Sequence, residues 1–206
     1  ARKWVADHAQ VSEARAMERL PERTQTQRLV LRRLTPEDEP VLGASVTASL
    51  EHLLPWFPWA DHEPVSPDQR RQRIATWEQE WRAGGDLYCG VFLDGAHIGN
   101  IGLHRRGTAD SIEIGYWLHV DHTGHGYITE ASEALTTLAF EQPGIERVAI
   151  HHDRANVASG AVPRRLGFTL EREVTKELQA PGEDGVEFQW KMVRAAWATR
   201  LVRAPR

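Results

Sequence analysis

The stretch from Ile112 to Glu141 restricts the fold more than any other part of the chain. Apolar residues alternate from Ile112 to Val120, as in a strand; beyond Thr123-Gly124-His125-Gly126-Tyr127-Ile128 the period changes, and Ala131, Leu135, Leu138 and Ala139 make a helical stripe. Pro143-Gly144 ends that helix. Strand, glycine turn and helix in this order predict amides that curve inward under a positive helix end, a geometry able to hold a diphosphate without Lys or Arg. Glycine used for shape alone is the competing reading, so the turn by itself assigns no ligand.

The flanking pattern predicts one α/β (α+β) domain of antiparallel strands interrupted by helices. Leu29–Leu34 reads as a strand, with Thr35-Pro36 opening a helix toward Leu53 and Leu54. Residues 55–67, PWFPWADHEPVSP, are too rich in proline for one regular helix; Gln69–Arg82 returns to helical spacing with Ile74, Trp77 and Trp81. Leu87–Leu93, the Asp94-Gly95 turn and Ala96–His104 form the strongest hairpin signal, and Ile112–Val120 extends the meander. Ile145–Ile150, Asn156–Leu166, Phe168 onward and Val186–Val193 read as strand, helix, strand and strand. Residues 1–27 are expected to be a helical extension, with Trp4, Val11, Met17 and Leu20 loosely periodic and Pro21 ending the pattern; residues 28–206 are expected to be the domain.

Composition narrows the function classes. With 206 residues, 41% of them hydrophobic, the chain can build a full core. Its 25 basic and 29 acidic residues argue against nucleic acid or an anionic membrane as partner. Cys89 is the single cysteine, which excludes an internal disulfide and a Cys-based zinc centre and points to a reducing, cytoplasmic setting. His119, His122 and His125 recur every third residue, but across a strand end and a tight turn, so no metal site is expected.

Four segments together resemble the GNAT acyltransferases, in particular the bacterial branch that acetylates the N-termini of ribosomal and other proteins. They are Leu53-Leu54-Pro55-Trp56 with Trp59; Glu113 to Leu118; Gly124-His125-Gly126-Tyr127 with Thr129-Glu130-Ala131; and Asn156 with Ser159 ahead of Arg165-Leu166-Gly167-Phe168. The resemblance covers residues 28–194. It implies a splayed, mixed and mainly antiparallel sheet, acetyl-CoA or another short acyl-CoA as donor, direct transfer to a primary amine, and a homodimer. Thr123 and Ile128 depart from the family's turn, which favours Gln or Arg at the first place and Gly or Ala at the last.

The resemblance also assigns roles. Leu118, His119 and Val120 at the strand end, the turn Gly124, His125, Gly126, Tyr127, Ile128 and Thr129, and Asn156, Ser159, Arg164 and Arg165 are expected to hold the donor, with an amide of Leu118 or His119 meeting the thioester carbonyl. Ser159 is expected to hydrogen-bond the departing sulfur, although both it and Asn156 also suit helix capping. Glu113, flanked by Ile112 and Ile114 that face the opposite way, is expected to act as general base or as anchor for the acceptor. Trp56, Trp59 and Tyr116 are expected to border the acceptor, whereas Trp77 and Trp81 suit core packing. A peptide or protein N-terminus is the favoured acceptor; an amino acid, polyamine or antibiotic amine, and an acyl-CoA-binding regulator without turnover, are the alternatives. An acidic cleft around Glu51, Asp61, Glu63 and Glu113 would favour a polyamine, and a hydrophobic groove a peptide end.

Overall fold

The computed structural model describes residues 20–203. The expected N-terminal helix therefore lies outside the described residues, apart from Leu20, which is buried. Eight strands make one sheet in the order β1-β2-β3-β4-β5-β6-β8-β7. They are β1 (Arg23–Gln25), β2 (Leu29–Arg33), β3 (Leu87–Leu93), β4 (Ala96–His104), β5 (Ser111–Leu118), β6 (Arg147–Asp153), β7 (Thr169–Thr175) and β8 (Val186–Val193). The helices are α1 (Glu39–Leu53), α2 (Pro67–Arg82), α3 (Tyr127–Glu141), α4 (Val157–Leu166) and α5 (Arg194–Arg203). Every neighbouring pair of strands is antiparallel except β5 and β6. The expected mixed, mainly antiparallel sheet is thus present, with β1 and α5 as additions to the elements read from the sequence.

Local chemistry sets the element ends. Asp94 and Gly95 take φ of 49° and 84°, the positive angles a two-residue hairpin turn requires. Ser66 starts α2 through a capping box: its hydroxyl accepts the Gln69 N–H at 3.3 Å while the Gln69 side chain accepts the Ser66 N–H at 2.9 Å, and Pro67 supplies a preset first residue. Residues 58–62 close into a short 3-10 turn within the proline-rich crossing. None of the described helices is long and apolar enough to cross a membrane.

Side chains alternate between the two sheet faces. On one face α1 and α2 bury Leu42, Val46, Leu53 and Ile74 against Leu34, Phe92 and Trp117. On the other, α3 and α4 bury Leu135, Ala139, Val162 and Leu166 against Ile101, Leu103, Ile112, Ile114, Val148 and Ile150.

The sheet is split down its middle. β5 and β6 pair only at Ser111–Arg147, Ile112–Val148 and Glu113–Ala149, although β5 runs on to Leu118 and β6 to Asp153. Beyond that point β5 stays on β4 as far as Leu118–Gly99, and β6 stays on β8 as far as Asp153–Glu187. Each half follows its own partner, and a wedge opens between them. Backbone polarity along β5 is fixed by the His119 N–H, which donates to the Ile98 carbonyl at 2.8 Å. Because peptide directions alternate along a strand, the amides of residues 113, 115, 117 and 119 face β4, and those of Tyr116 and Leu118 face the wedge.

Candidate active site

The wedge opens into a cavity of about 560 Å³ lined from both faces of the sheet. Trp56, Phe57, Trp59, Trp77, His104 and Glu113 line it from the side of α1 and α2; Tyr116, Asn156 and Ser159 line it from the side of α4. A reactant on one face can therefore meet a reactant on the other through the gap between β5 and β6. The structure brings together Glu113, Ser159, Asn156, Tyr116, Trp56 and Trp59 of the residues picked from the sequence.

On the α4 side, the Asn156 side chain caps the helix by accepting the Ser159 N–H at 3.0 Å. The cap uses the Ser159 amide and leaves its hydroxyl available. The Tyr116 hydroxyl lies 3.1 Å from both the Ser159 hydroxyl and the Ser159 carbonyl. Burial raises the Tyr116 pKa, outweighing the bond to Ser159, so the phenol stays protonated and the pair is neutral. A neutral hydroxyl held in this way donates a hydrogen bond that strengthens as charge gathers on a leaving sulfur.

The opposite face is richer in charge, and that charge is matched. The Glu113 Oε1 lies 2.9 Å from Arg106 Nη1, and Oε2 lies 3.3 Å from His151 Nδ1. Ile112 and Ile114 on either side are buried in the other face, as the alternation required. Glu63 pairs with Arg70 at 2.9 Å, with both side chains buried, and with Arg73 at 3.7 Å. Asp153 accepts the amides of Ala155, Asp184 and Gly185, and Glu183 takes Lys176 at 2.6 Å together with the amides of Gln179 and Ala180. Every carboxylate lining the cavity is thus engaged. Glu51 and Asp61 are exposed and do not line it, so the acidic cleft that would select a polycation is not formed.

Aromatic rings form the wall. Phe57 and Trp59 lie 5.6 Å apart and Trp59 packs 6.3 Å from Trp117, which fixes the proline-rich loop. Trp77, read from the sequence as core, stacks on Tyr88 at 4.9 Å and lines the cavity. Trp81 does pack away from it, under Arg33.

The glycine turn lies at the start of α3. Gly124 and Gly126 take φ of 78° and 79°, and a Cβ on Gly124 would meet nothing within 4 Å. Gly126 is the N-cap of α3 and no side chain caps the helix, unlike α2 and α4. Tyr127, Ile128 and Thr129 therefore begin a helix whose first amides lack a side-chain acceptor, and the turn is open on its outer side. Ile128 is buried, so its branched side chain points into the core rather than over the turn. These features fit a diphosphate.

Arg28 is a residue that sequence reasoning missed. Its Nη1 donates to the His125 carbonyl at 3.1 Å, its Nε to Glu130 at 2.7 Å, and its guanidinium lies 4.6 Å from the Tyr127 ring centre. Burial works to raise the Glu130 carboxyl, but hydrogen bonds from Thr26 and Arg28 and the Arg28 charge hold it below the ordinary range. A cation thus stands beside the turn where Thr123 supplies none. No spacing signal links positions 28 and 130.

Other selected residues stand apart from the cavity. The His119 amide is bonded to Ile98, and the Val120 amide to the Ser49 hydroxyl at 3.1 Å, which leaves Leu118 as the strand-end amide facing the wedge. Arg164 and Arg165 are exposed on α4, with Arg164 5.3 Å from the Trp190 ring centre. His119, His122 and Tyr127 pack ring to ring, and no group of three metal-type ligands occurs among the described residues. Cys89 is buried and its thiol is pushed up to about 12, so it is inert as a nucleophile.

Comparison with known proteins decides the family. The model of the acetyltransferase (GNAT) domain matches residues 28–169. The chain is a GNAT acetyltransferase. The Bacillus subtilis (strain 168) protein named "Putative ribosomal N-acetyltransferase YdaF" is 29% identical over 170 residues, covering 82% of this chain and 93% of its own. Among solved structures, the crystal structure of a protein named "Probable acetyltransferase" aligns with a TM-score of 0.78 at 29% identity, covering 85% of this chain and 98% of its own. The ribosomal L7/L12 alpha-N-protein acetyltransferase RimL, solved in complex with coenzyme A, shares the fold with a TM-score of 0.76 at 23% identity, covering 87% of this chain and 99% of its own. The wedge and the glycine turn described above are therefore features of a GNAT fold.

Proposed function

We propose that this GNAT acetyltransferase transfers the acetyl group of acetyl-CoA directly to the α-amine of a protein or peptide N-terminus. The observation that carries the proposal is a continuous cavity through the split sheet, with a neutral hydroxyl pair on the α4 side and an aromatic, charge-balanced chamber on the other. Acetyl-CoA supplies an activated acyl group. The uncapped start of α3, with Gly124, Gly126 and Arg28, holds its diphosphate. The Leu118 amide in the wedge polarises the carbonyl and carries the charge that develops there. Ser159, backed by Tyr116, stabilises the departing sulfur. The chain offers no accessible thiol for a covalent intermediate, which suits attack within a ternary complex.

The acceptor follows from the chamber. A polycation needs free carboxylates, and here Glu63, Glu113, Asp153 and Glu183 are already bonded. Indole and phenyl walls suit a chain end that brings one amine and apolar side chains. The names of YdaF and RimL, both N-acetyltransferases associated with ribosomal proteins, agree with this reading. A panel of peptides, polyamines, amino acids and aminoglycosides incubated with acetyl-CoA, followed by thiol release and product mass, tests it. Acetylated peptides are expected; turnover confined to small amines would transfer the proposal to that class, and coenzyme A binding without turnover on any acceptor would make the protein a regulator.

A further inference from the structure

Resting on that reading, we propose that His104, oriented by Asp86, is the catalytic residue that accepts the proton of the attacking amine, and that Glu113 anchors the acceptor. His104 Nδ1 lies 2.9 Å from Asp86 Oδ2, and the other Asp86 oxygen accepts the Arg105 N–H at 2.8 Å. Burial works to raise the Asp86 carboxyl, but the bonds from His104 and Arg105 hold it below the ordinary range, so it stays a carboxylate. A carboxylate at Nδ1 fixes the tautomer and leaves the lone pair on Nε2.

That lone pair points into the cavity. Gly102 is two residues before His104 on β4 and pairs with Gly115 on β5, while His104 itself pairs with Glu113; all four lie on one sheet face and line the cavity. A Cβ built on Gly102 or Gly115 would lie 3.0 or 3.1 Å from Nε2, so the ring is laid across these two glycines toward the wedge. The Tyr88 ring meets it edge-on at 4.9 Å, its residue exposure is 7%, and among the described residues Nε2 has no hydrogen-bond partner. An imidazole nitrogen that lines the cavity beside the split with no hydrogen-bond partner among the described residues is difficult to explain as packing alone.

Glu113 is less suited to the task. Arg106 and His151 already occupy its two oxygens, which holds the carboxylate in place as an anchor. His104 Nε2 carries no such partner among the described residues, so the imidazole is the group placed to take the proton. The charged and titratable groups that share the cavity or a bond with His104 are Asp86 and Tyr88 on its β3 side, Arg106 in the β4–β5 connection, Glu113 on β5, His151 on β6 and Arg73 on α2.

In the balanced step, the amine lone pair forms the C–N bond to the thioester carbonyl, the C–S bond breaks with its pair passing to sulfur, and one amine proton moves to His104 Nε2. Sulfur takes a proton through the Ser159 hydroxyl, which recovers one from solvent so that the Ser159–Tyr116 pair ends neutral, and the imidazolium returns its proton to solvent. The products are an N-acetyl amine and coenzyme A.

The test uses a peptide acceptor and the variants His104→Ala, His104→Gln, Asp86→Asn and Glu113→Gln. His104→Ala is expected to lose about 100-fold or more in kcat, to retain coenzyme A affinity, and to regain rate with added imidazole in proportion to its neutral form. Asp86→Asn is expected to lose about tenfold and to shift the acid limb of the kcat/KM profile, and Glu113→Gln to raise KM while keeping that limb. Should His104→Ala be poorly folded, His104→Gln and Asp86→Asn carry the same readouts. Full kcat in His104→Gln, or loss of the acid limb in Glu113→Gln alone, would overturn the assignment. Absence of peptide turnover by the unmodified protein would instead refute the proposed function.

Discussion

Replacing Gly124 with alanine separates the binding role of the turn from its backbone role. Gly124 has φ of 78° and Gly144 has φ of 74°, and a Cβ at either would meet nothing within 4 Å. Alanine in the left-handed region costs about 1–2 kcal/mol at each, which for a domain of this size lowers Tm by about 2–8 °C. The two sites nevertheless lie at opposite ends of α3, whose 15 residues span about 22 Å. Gly124→Ala places a methyl where the turn meets a diphosphate and resists the φ that aims its amides. It is expected to weaken coenzyme A binding about tenfold or more, at least ~1.4 kcal/mol. Gly144→Ala is expected to lose the same stability and no affinity. Isothermal titration with coenzyme A and thermal unfolding of both variants give the comparison. Equal affinities for the two variants would refute the assignment of the turn.

Ser159→Ala keeps the Asn156 cap, since the cap uses the amide, so it is expected to slow transfer about 10- to 100-fold with coenzyme A affinity unchanged; a rate equal to the parent's in single-turnover assays would remove Ser159 from the leaving-group role. Arg28→Ala releases both the His125 carbonyl and Glu130 and is expected to weaken coenzyme A binding about three- to tenfold, more at low salt than at high; a salt-independent loss would argue for shape rather than charge. Burial pushes His97 and His152 below the ordinary histidine range, so in acid the unfolded chain takes up protons near pH ~6.5 that the folded chain refuses. Urea midpoints are therefore expected to fall as pH drops below about 6.5 and to be flat above it; a midpoint that rises on acidification would contradict the burial of two neutral imidazoles.

Much of the framework was legible because it is written in local periodicity. The hairpin at Asp94-Gly95, the strand over Ile112–Leu118, the turn and the stripe of α3 each follow from residues a few positions apart. β1 escaped because Arg23–Gln25 is short, polar and exposed at the sheet edge, and α5 because Arg194 follows Val193 with no glycine, proline or cap to mark the change. β6 runs three residues past its expected end, through His151, His152 and Asp153, since its burial there comes from β8 and α4 rather than from its own composition. The site divides in the same way. Glu113, Asn156 and Ser159 lie in recognisable segments, whereas Arg28 with Glu130 and Asp86 with His104 are pairs 102 and 18 residues apart that only the folded chain brings together. Trp77 shows the limit of spacing: a helical stripe identifies the inward face of α2, and the structure alone shows that part of this face borders a cavity.

Acetyl transfer across the split sheet is tested most directly by quantifying thiol and locating the acetyl group in one reaction. A peptide carrying both a free α-amine and an internal lysine is incubated with acetyl-CoA, coenzyme A is titrated as free thiol, and fragment masses place the added acetyl group. The account predicts one thiol released per peptide acetylated, with the acetyl group on the α-amine. Thiol release without peptide product, or acetylation spread equally to the lysine, would contradict it.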